Sequence, residues 1–199
     1  MGAGYGTDAL QFLIRTLIDL YAVVVLLRFA LQAVRADYFN PVAQFVVQAT
    51  RPVLAPMRRL LPPAGRYDYA ALVLALALMW LKLGLYALLS IDSVYVGGYV
   101  QPIQHVWIGS LAWIGVVDLI ALIIDIAFFA ILVMAILSWI APAGPNPVME
   151  MLRRITDPLI RPVRRVIPLL GGVDLSPLVV LIGLQLLKML LLRPLLVLA

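Results

Sequence analysis

Residues 161–177 read RPVRRVIPLLGGVDLSP, and residues 55–71 read APMRRLLPPAGRYDYAA. Both carry a proline, an Arg-Arg pair, a second proline, a glycine and an aspartate at matching spacing, and both lead into apolar runs. The register extends outward in both directions. A shift of 106 residues aligns Asn40-Pro41 with Asn146-Pro147, Thr50 with Thr156, Pro52 with Pro158 and Pro56 with Pro162. The same shift aligns Arg58-Arg59 with Arg164-Arg165, Pro62 with Pro168, Gly65 with Gly171 and Asp68 with Asp174. It holds within the apolar runs too, where Asp19 falls on Asp125 and Lys82 on Lys188. The chain is a tandem duplication.

Composition sets the solvent. Of 199 residues, 64% are hydrophobic and 13% charged, and the mean hydropathy is +1.07. A soluble domain carries about a quarter charged residues, so this chain belongs in a membrane. Four segments approach or exceed the roughly 20 residues that cross a hydrocarbon core as helix: Leu10–Val34, Tyr69–Ile91, Gly115–Ile140 and Leu175–Leu196. The stretch ahead of the first has no Lys or Arg. It lacks the basic start of a cleaved signal peptide, so this span is expected to be retained. Each repeat holds an even number of spans, so the two repeats share one orientation.

Arg35, Arg51, Arg58, Arg59 and Arg66 lie in the first connection; Arg153, Arg154, Arg161, Arg164 and Arg165 lie in the third. The middle connection has no Lys or Arg. The positive-inside rule therefore puts both basic connections in the cytoplasm and both termini outside. The net charge of +5 then reflects topology and contact with anionic headgroups, with no direct nucleic-acid partner expected.

The fold expected is an all-α membrane protein of four transmembrane helices in a tandem two-helix repeat. Residues 1–92 form the first repeat with an interfacial helix at 40–62, residues 93–115 an external connection, and residues 116–199 the second repeat with an interfacial helix at 146–168. Asn followed by Pro starts each interfacial helix, because Asn caps and Pro suits the first turn. Met151, Leu152, Ile155, Leu159, Val163 and Val166 recur at helical spacing, with Glu150, Arg153, Arg154, Asp157, Arg161, Arg164 and Arg165 opposite. Val42, Phe45, Val46, Ala49, Val53, Met57 and Leu60 form the first repeat's stripe. The internal prolines remove helical donors, so a break or kink is expected near them. Arg58, Arg59, Arg153, Arg154, Arg161, Arg164 and Arg165 are the expected contacts to the membrane interface or to partners. Pro62, Gly65 and Asp68, with Pro168, Gly171, Asp174, Ser176 and Pro177, form corners that turn the chain into the membrane. Ser176 before Pro177 reads as an N-cap.

At these residues the chain resembles the YggT family of small bacterial and plastid membrane proteins. LSWIAPAGPNPV at 137–148, ITDPLIRPVRRVIP at 155–168 and GGVDLSPLVVLIGLQLL at 171–187 carry the likeness. The first repeat departs from it, with GRYDYAA in place of GGVDLSP. The resemblance implies a bacterial inner-membrane protein of a family linked to hyperosmotic tolerance, to cytochrome-complex assembly in plastids, and to division or nucleoid organisation. It brings no catalytic residue.

Ionisable groups at mid-bilayer cost about 2.5–3.5 kcal/mol on insertion scales and need partners. Helical rise places Asp19, Lys82, Asp125 and Lys188 at one depth, roughly 20–25 Å from the inner surface. Two Asp–Lys pairs are expected, either Asp19–Lys82 with Asp125–Lys188 or the exchanged set. Arg15 can share Asp19 along its helix, while Arg28 is expected to snorkel inward and Arg193 outward. In the middle connection, Tyr95, Tyr99, Trp107 and Trp113 suit an aromatic belt, Gly97-Gly98 a turn, and the stretch from Gln101 a short amphipathic helix. His105 is the single histidine, and cysteine is absent. No nucleophile–base set, metal cluster or cofactor site is expected. The expected role is non-catalytic, through lipid or other membrane proteins; the alternative is a channel or transporter subunit using the Asp–Lys pairs, which needs a homo-oligomer to enclose a pore.

Overall fold

The computed structural model describes residues 3–35, 40–103, 107–140, 146–166 and 174–198. Among them are six helices and one hairpin: α1 (Ala3–Ala33), α2 (Pro41–Leu60), α3 (Tyr69–Leu88), β1 (Ser93–Val96), β2 (Tyr99–Pro102), α4 (Ile108–Ile140), α5 (Pro147–Arg164) and α6 (Ser176–Val197). Four of them, α1, α3, α4 and α6, are long and apolar enough to cross a membrane. The chain is thus an all-α multi-pass membrane protein with four candidate spans. Helix α1 packs on α3, α4 on α6, and α3 on α4. Their outward faces keep large apolar side chains exposed, such as Phe12, Leu17, Leu81, Phe129 and Leu190. That is what a lipid-facing surface requires.

The two basic helices dock along the spans: α2 on α1 and α3, α5 on α4 and α6. Asn40 caps α2 by accepting from the Val42 amide at 2.8 Å, and Asn146 caps α5 by accepting from that of Val148 at 3.0 Å. Their starts meet, since Asn40 Nδ2 donates to the Pro147 carbonyl at 2.9 Å. The buried face of α2 is Ala43, Val46, Thr50 and Leu54. The matching positions of α5, Met149, Leu152, Thr156 and Ile160, are buried too. Of the stripes expected from the sequence, Val46, Met151 and Leu152 are buried, while Val42, Phe45, Val53, Leu60, Leu159 and Val166 are exposed. The docking face is centred on a threonine, and the residual apolar residues look outward.

The expected breaks at the internal prolines do not occur. Pro52 and Pro56 lie inside α2, and Pro158 and Pro162 inside α5. All four are exposed, so the carbonyls they leave without a donor face outward, where water or headgroups can satisfy them.

The middle connection also differs from expectation. Instead of an amphipathic helix from Gln101, residues 93–102 form an antiparallel hairpin with Val96 opposite Tyr99. Helix α4 already begins at Ile108, seven residues before the expected span start. His105 and Val106 lie outside the described residues. Ile91, Val94, Val96 and Ile103 bury themselves against Leu83, Tyr86, Ile114, Val117, Leu192 and Leu196. The hairpin therefore covers one end of the bundle. Its turn does use Gly97 and Gly98, at φ of +58° and +98°.

A Cβ on Gly97 would lie 2.2 Å from Leu192 Cδ1 and 3.2 Å from Lys188 Cε. Gly97→Ala is expected to lose about 1–3 kcal/mol from backbone strain alone, with overpacking in addition. Gly84 lies inside α3 with nothing near its Cβ position, so Gly84→Ala is expected to gain about 0.5–1 kcal/mol. Thermal unfolding of the two purified variants in detergent checks the opposite signs.

Candidate functional site

The intramembrane charges converge as same-repeat pairs. Lys82 on α3 donates to Asp19 Oδ1 on α1 at 2.5 Å, and Lys188 on α6 donates to Asp125 Oδ1 on α4 at 2.6 Å. The exchanged combination is not present. The first pair is part of a larger cluster. Lys82 Nζ also lies 2.8 Å from Asp118 Oδ2 on α4, with Lys82 only 1% exposed. Arg15 Nε approaches Asp19 Oδ2 at 3.5 Å and stacks over the Tyr95 ring of the hairpin at 5.6 Å. Two cations thus meet two carboxylates, and the cluster is formally neutral, as a low-dielectric site demands.

Asp118 is the residue that sequence reasoning missed. Its counterpart in the first repeat is Phe12, so the duplication gives no hint of it. A signal existed nonetheless: Asp118 lies two helical turns before Asp125 in an otherwise apolar run, which puts both carboxylates on one face.

At the opposite end of α3 and α6 a second set of ion pairs repeats. Arg58 binds Asp68, whose side chain is fully buried, and Arg164 Nη2 binds Asp174 Oδ2 at 2.8 Å. The corner residues divide accordingly. Gly65, at φ +62°, forms a tight turn in which Ala64 and Tyr67 exchange backbone bonds of 3.1 Å, with Pro62 just ahead of it. Asp68 makes no capping bond to α3; its carboxylate is taken by Arg58. Asp174 does both jobs, accepting from the Ser176 amide at 2.9 Å as well as from Arg164. Burial works against its ionisation, but the bonds from Ser176 and Arg164 outweigh this and hold its carboxyl below the usual range. Ser176 is thus the first helical residue, and the cap expected of it is supplied by Asp174. Pro177 sits in the first turn, while Pro168 and Gly171 lie outside the described residues.

The remaining arginines spread along α2 and α5. Arg154 Nε pairs with Glu150 at 2.9 Å and Arg161 with Asp157, while Arg59, Arg153 and Arg165 are exposed. Exposed pairs of this kind contribute about 0–1 kcal/mol, so they leave the guanidiniums available to other anions. Arg28 does not snorkel to the surface as expected. It reaches across to α2, donating to the Val47 carbonyl at 3.0 Å and the Thr50 hydroxyl at 3.1 Å. Among the described residues no group of three or more His, Cys, Asp or Glu is placed to hold a metal ion.

The contacts that recur at a shift of 106 residues have a counterpart in comparison with known proteins. The CCB3/YggT family model matches twice, at residues 7–89 and 113–195. The chain belongs to the CCB3/YggT family. It is 38% identical over 187 residues to an uncharacterised protein of Pseudomonas aeruginosa, covering 94% of this chain and 89% of that one. It is 40% identical over 178 residues to an uncharacterised Vibrio alginolyticus protein encoded beside proC, covering 89% and 90%. The uncharacterised protein YggT of Escherichia coli K12 is 35% identical over 182 residues, covering 92% and 88%. No solved structure matches the chain.

Removing one member of a buried ion pair leaves its partner uncompensated, at a cost of about 3–5 kcal/mol. Lys82→Met is expected to fall in this range, since two carboxylates depend on that ammonium. Lys188→Met should cost less, because Lys188 is 13% and Asp125 32% exposed. Thermal unfolding of the two variants side by side gives the order.

Proposed function

We propose that the protein is a non-catalytic component of the bacterial cytoplasmic membrane. It acts through α2 and α5, which lie along the inner surface and present arginines to anionic headgroups and to partner membrane proteins. The role this suits is osmotic-stress response or the assembly and organisation of membrane complexes. One observation carries it: both basic helices hold a threonine-centred face against the spans, yet keep arginines and large apolar side chains such as Phe45, Leu60 and Leu159 outward. Outward apolar and basic groups together suit the headgroup boundary, where each finds its solvent. Attraction between arginines and anionic lipid weakens with ionic strength, which couples the helices to the salt content of the cytoplasm.

A second function has its own observation. Asp19 and Asp125 keep 24% and 32% of their side chains exposed, so a homo-oligomer could line a wet path with them. Ion flux through reconstituted protein that is lost in Asp125→Asn would favour that role over the scaffold.

The absence of cysteine makes the orientation directly testable. Single cysteines replacing Arg59, Arg165 and Tyr99 are expected to split into two groups. The first two should react with a membrane-impermeant maleimide only in inverted vesicles, and the third only in intact cells. Labelling of positions 59 and 165 from outside would overturn the inner-surface role. In a strain lacking the protein, the Arg59→Gln/Arg165→Gln variant should restore hyperosmotic growth less well than the wild type.

A further inference from the structure

Between α4, α5 and α6 lies a cavity of about 730 Å3 that joins an apolar floor to a charged rim. Its size falls within the roughly 300–1,000 Å3 of small-molecule pockets. Leu132, Ala135, Leu178 and Leu181 line the floor, and Arg153, Asp157, Arg164 and Asp174 line the rim. The floor follows α4 from Ser138 to Leu132, about 9 Å of helix. An apolar trough that opens onto charges at the level of a basic interfacial helix has the polarity of a phospholipid.

The first repeat shows what keeps this cavity open. Phe29 stands where Ala135 does, and Tyr67 where Val173 does. The Phe29 ring packs against the cluster that holds Leu54 and Ala71 and stacks on Tyr67 at 6.2 Å, so the matching floor is filled. The groove that remains there, about 580 Å3, has Val47 as its one apolar lining residue among the described residues. Val47 in turn stands where Arg153 does. The copy without the ring is the copy with the arginine at its rim.

We propose that the cavity between α4, α5 and α6 holds a phospholipid whose headgroup is zwitterionic and carries a primary amine, as phosphoethanolamine does. One acyl chain lies on the floor that Ala135 leaves open. Arg153 has no carboxylate within ion-pair reach among the described residues, and its planar guanidinium suits the phosphate oxygens. Asp157 and Asp174 pair with Arg161 and Arg164, yet keep 35% and 28% of their side chains exposed. A carboxylate has about four acceptor sites, so both can also accept from the ammonium. Two arginines and two carboxylates balance at the rim, which suits a headgroup bearing both charges better than a purely anionic one. This rests on the headgroup-level placement of α5 proposed above, and adds which lipid that helix selects.

Full-length wild type, Ala135→Phe, Arg153→Val and the control Arg66→Val are purified in neutral detergent. Each is titrated with phosphatidylethanolamine, phosphatidylglycerol or phosphatidylcholine, and retention is read by native mass spectrometry. Both cavity variants copy the first repeat. Arg153 is exposed, so Arg153→Val tests the site even where Ala135→Phe fails to fold. Arg66 is exposed and does not line the cavity.

Wild type and control are expected to retain phosphatidylethanolamine about tenfold more strongly than phosphatidylcholine, whose quaternary amine donates no hydrogen bond. Each cavity variant is expected to retain phosphatidylethanolamine about tenfold less than wild type. Equal retention of the three lipids, stronger retention of phosphatidylglycerol, or the same loss in Arg66→Val would overturn the site. So would a dimer that Ala135→Phe dissociates, since a second copy of the chain would then fill the cavity. None of these results touches the inner-surface role, which the cysteine labelling decides separately.

Discussion

A lysine ammonium shut inside an apolar bundle must be neutralised where it stands, and Lys82 sets the rest of the bundle around that need. Its ammonium draws Asp19 from α1 and Asp118 from α4 to within 2.8 Å, so three spans are held at one height. Pairing of this kind fixes register more than it adds stability, since each charge also lost its hydration. The hairpin then closes over the site. Tyr95 lies against Arg15, and the Gly97 turn lies close against the Lys188 stem, so one short lid touches both charged clusters. Among the described residues, the ion pair between the repeats runs through Asp118, the member that duplication did not supply.

What the duplication kept and what it let drift are both visible in the contacts. The Asn caps, the threonine bonds to Val46 and Leu152, the Arg–Asp corner pairs and the Asp–Lys pairs all recur at the same spacing. These positions hold helix against helix and work equally well in either copy. Arg28 and Met134 occupy matching places and both engage the matching threonine, one as donor and the other as acceptor through sulfur. A guanidinium and a thioether satisfy the same hydroxyl, so packing tolerates either.

The four spans and the repeat were legible because lipid imposes them locally, through hydropathy, charge placement and spacing. That the aspartates pair with the lysines was legible for the same reason, as intramembrane charges have few places to go, while the choice between same-repeat and exchanged pairs was not. Three of the features that escaped show why. Asp118 had no equivalent in the other copy. The hairpin SVYVGGYVQP carries alternating β-branched and aromatic residues around Gly97-Gly98, a strand-and-turn pattern that a search for spans and belts passes over. The faces that α2 and α5 turn to the spans were not legible, because the strongest apolar residues need not point inward when the outer surroundings are also apolar. In water Phe45 and Leu60 would turn toward the core; beside lipid, small Ala43 and Thr50 make the closer helix contact.

The two basic helices therefore share a fold and differ in how their charge is met. Helix α5 carries Glu150 and Asp157, which pair with Arg154 and Arg161 one turn along. Helix α2 contains Arg51, Arg58 and Arg59 and no acidic residue at all, and Asp68 answers only Arg58. Among the described residues Arg51 and Arg59 have no carboxylate within ion-pair reach, so water, ions or headgroups must supply their counter-charge. An element partly neutralised from within, as α5 is apart from Arg153, depends less on the anions around it. One neutralised from without changes its energy whenever those anions change, and that difference makes α2 the more responsive of the two basic helices.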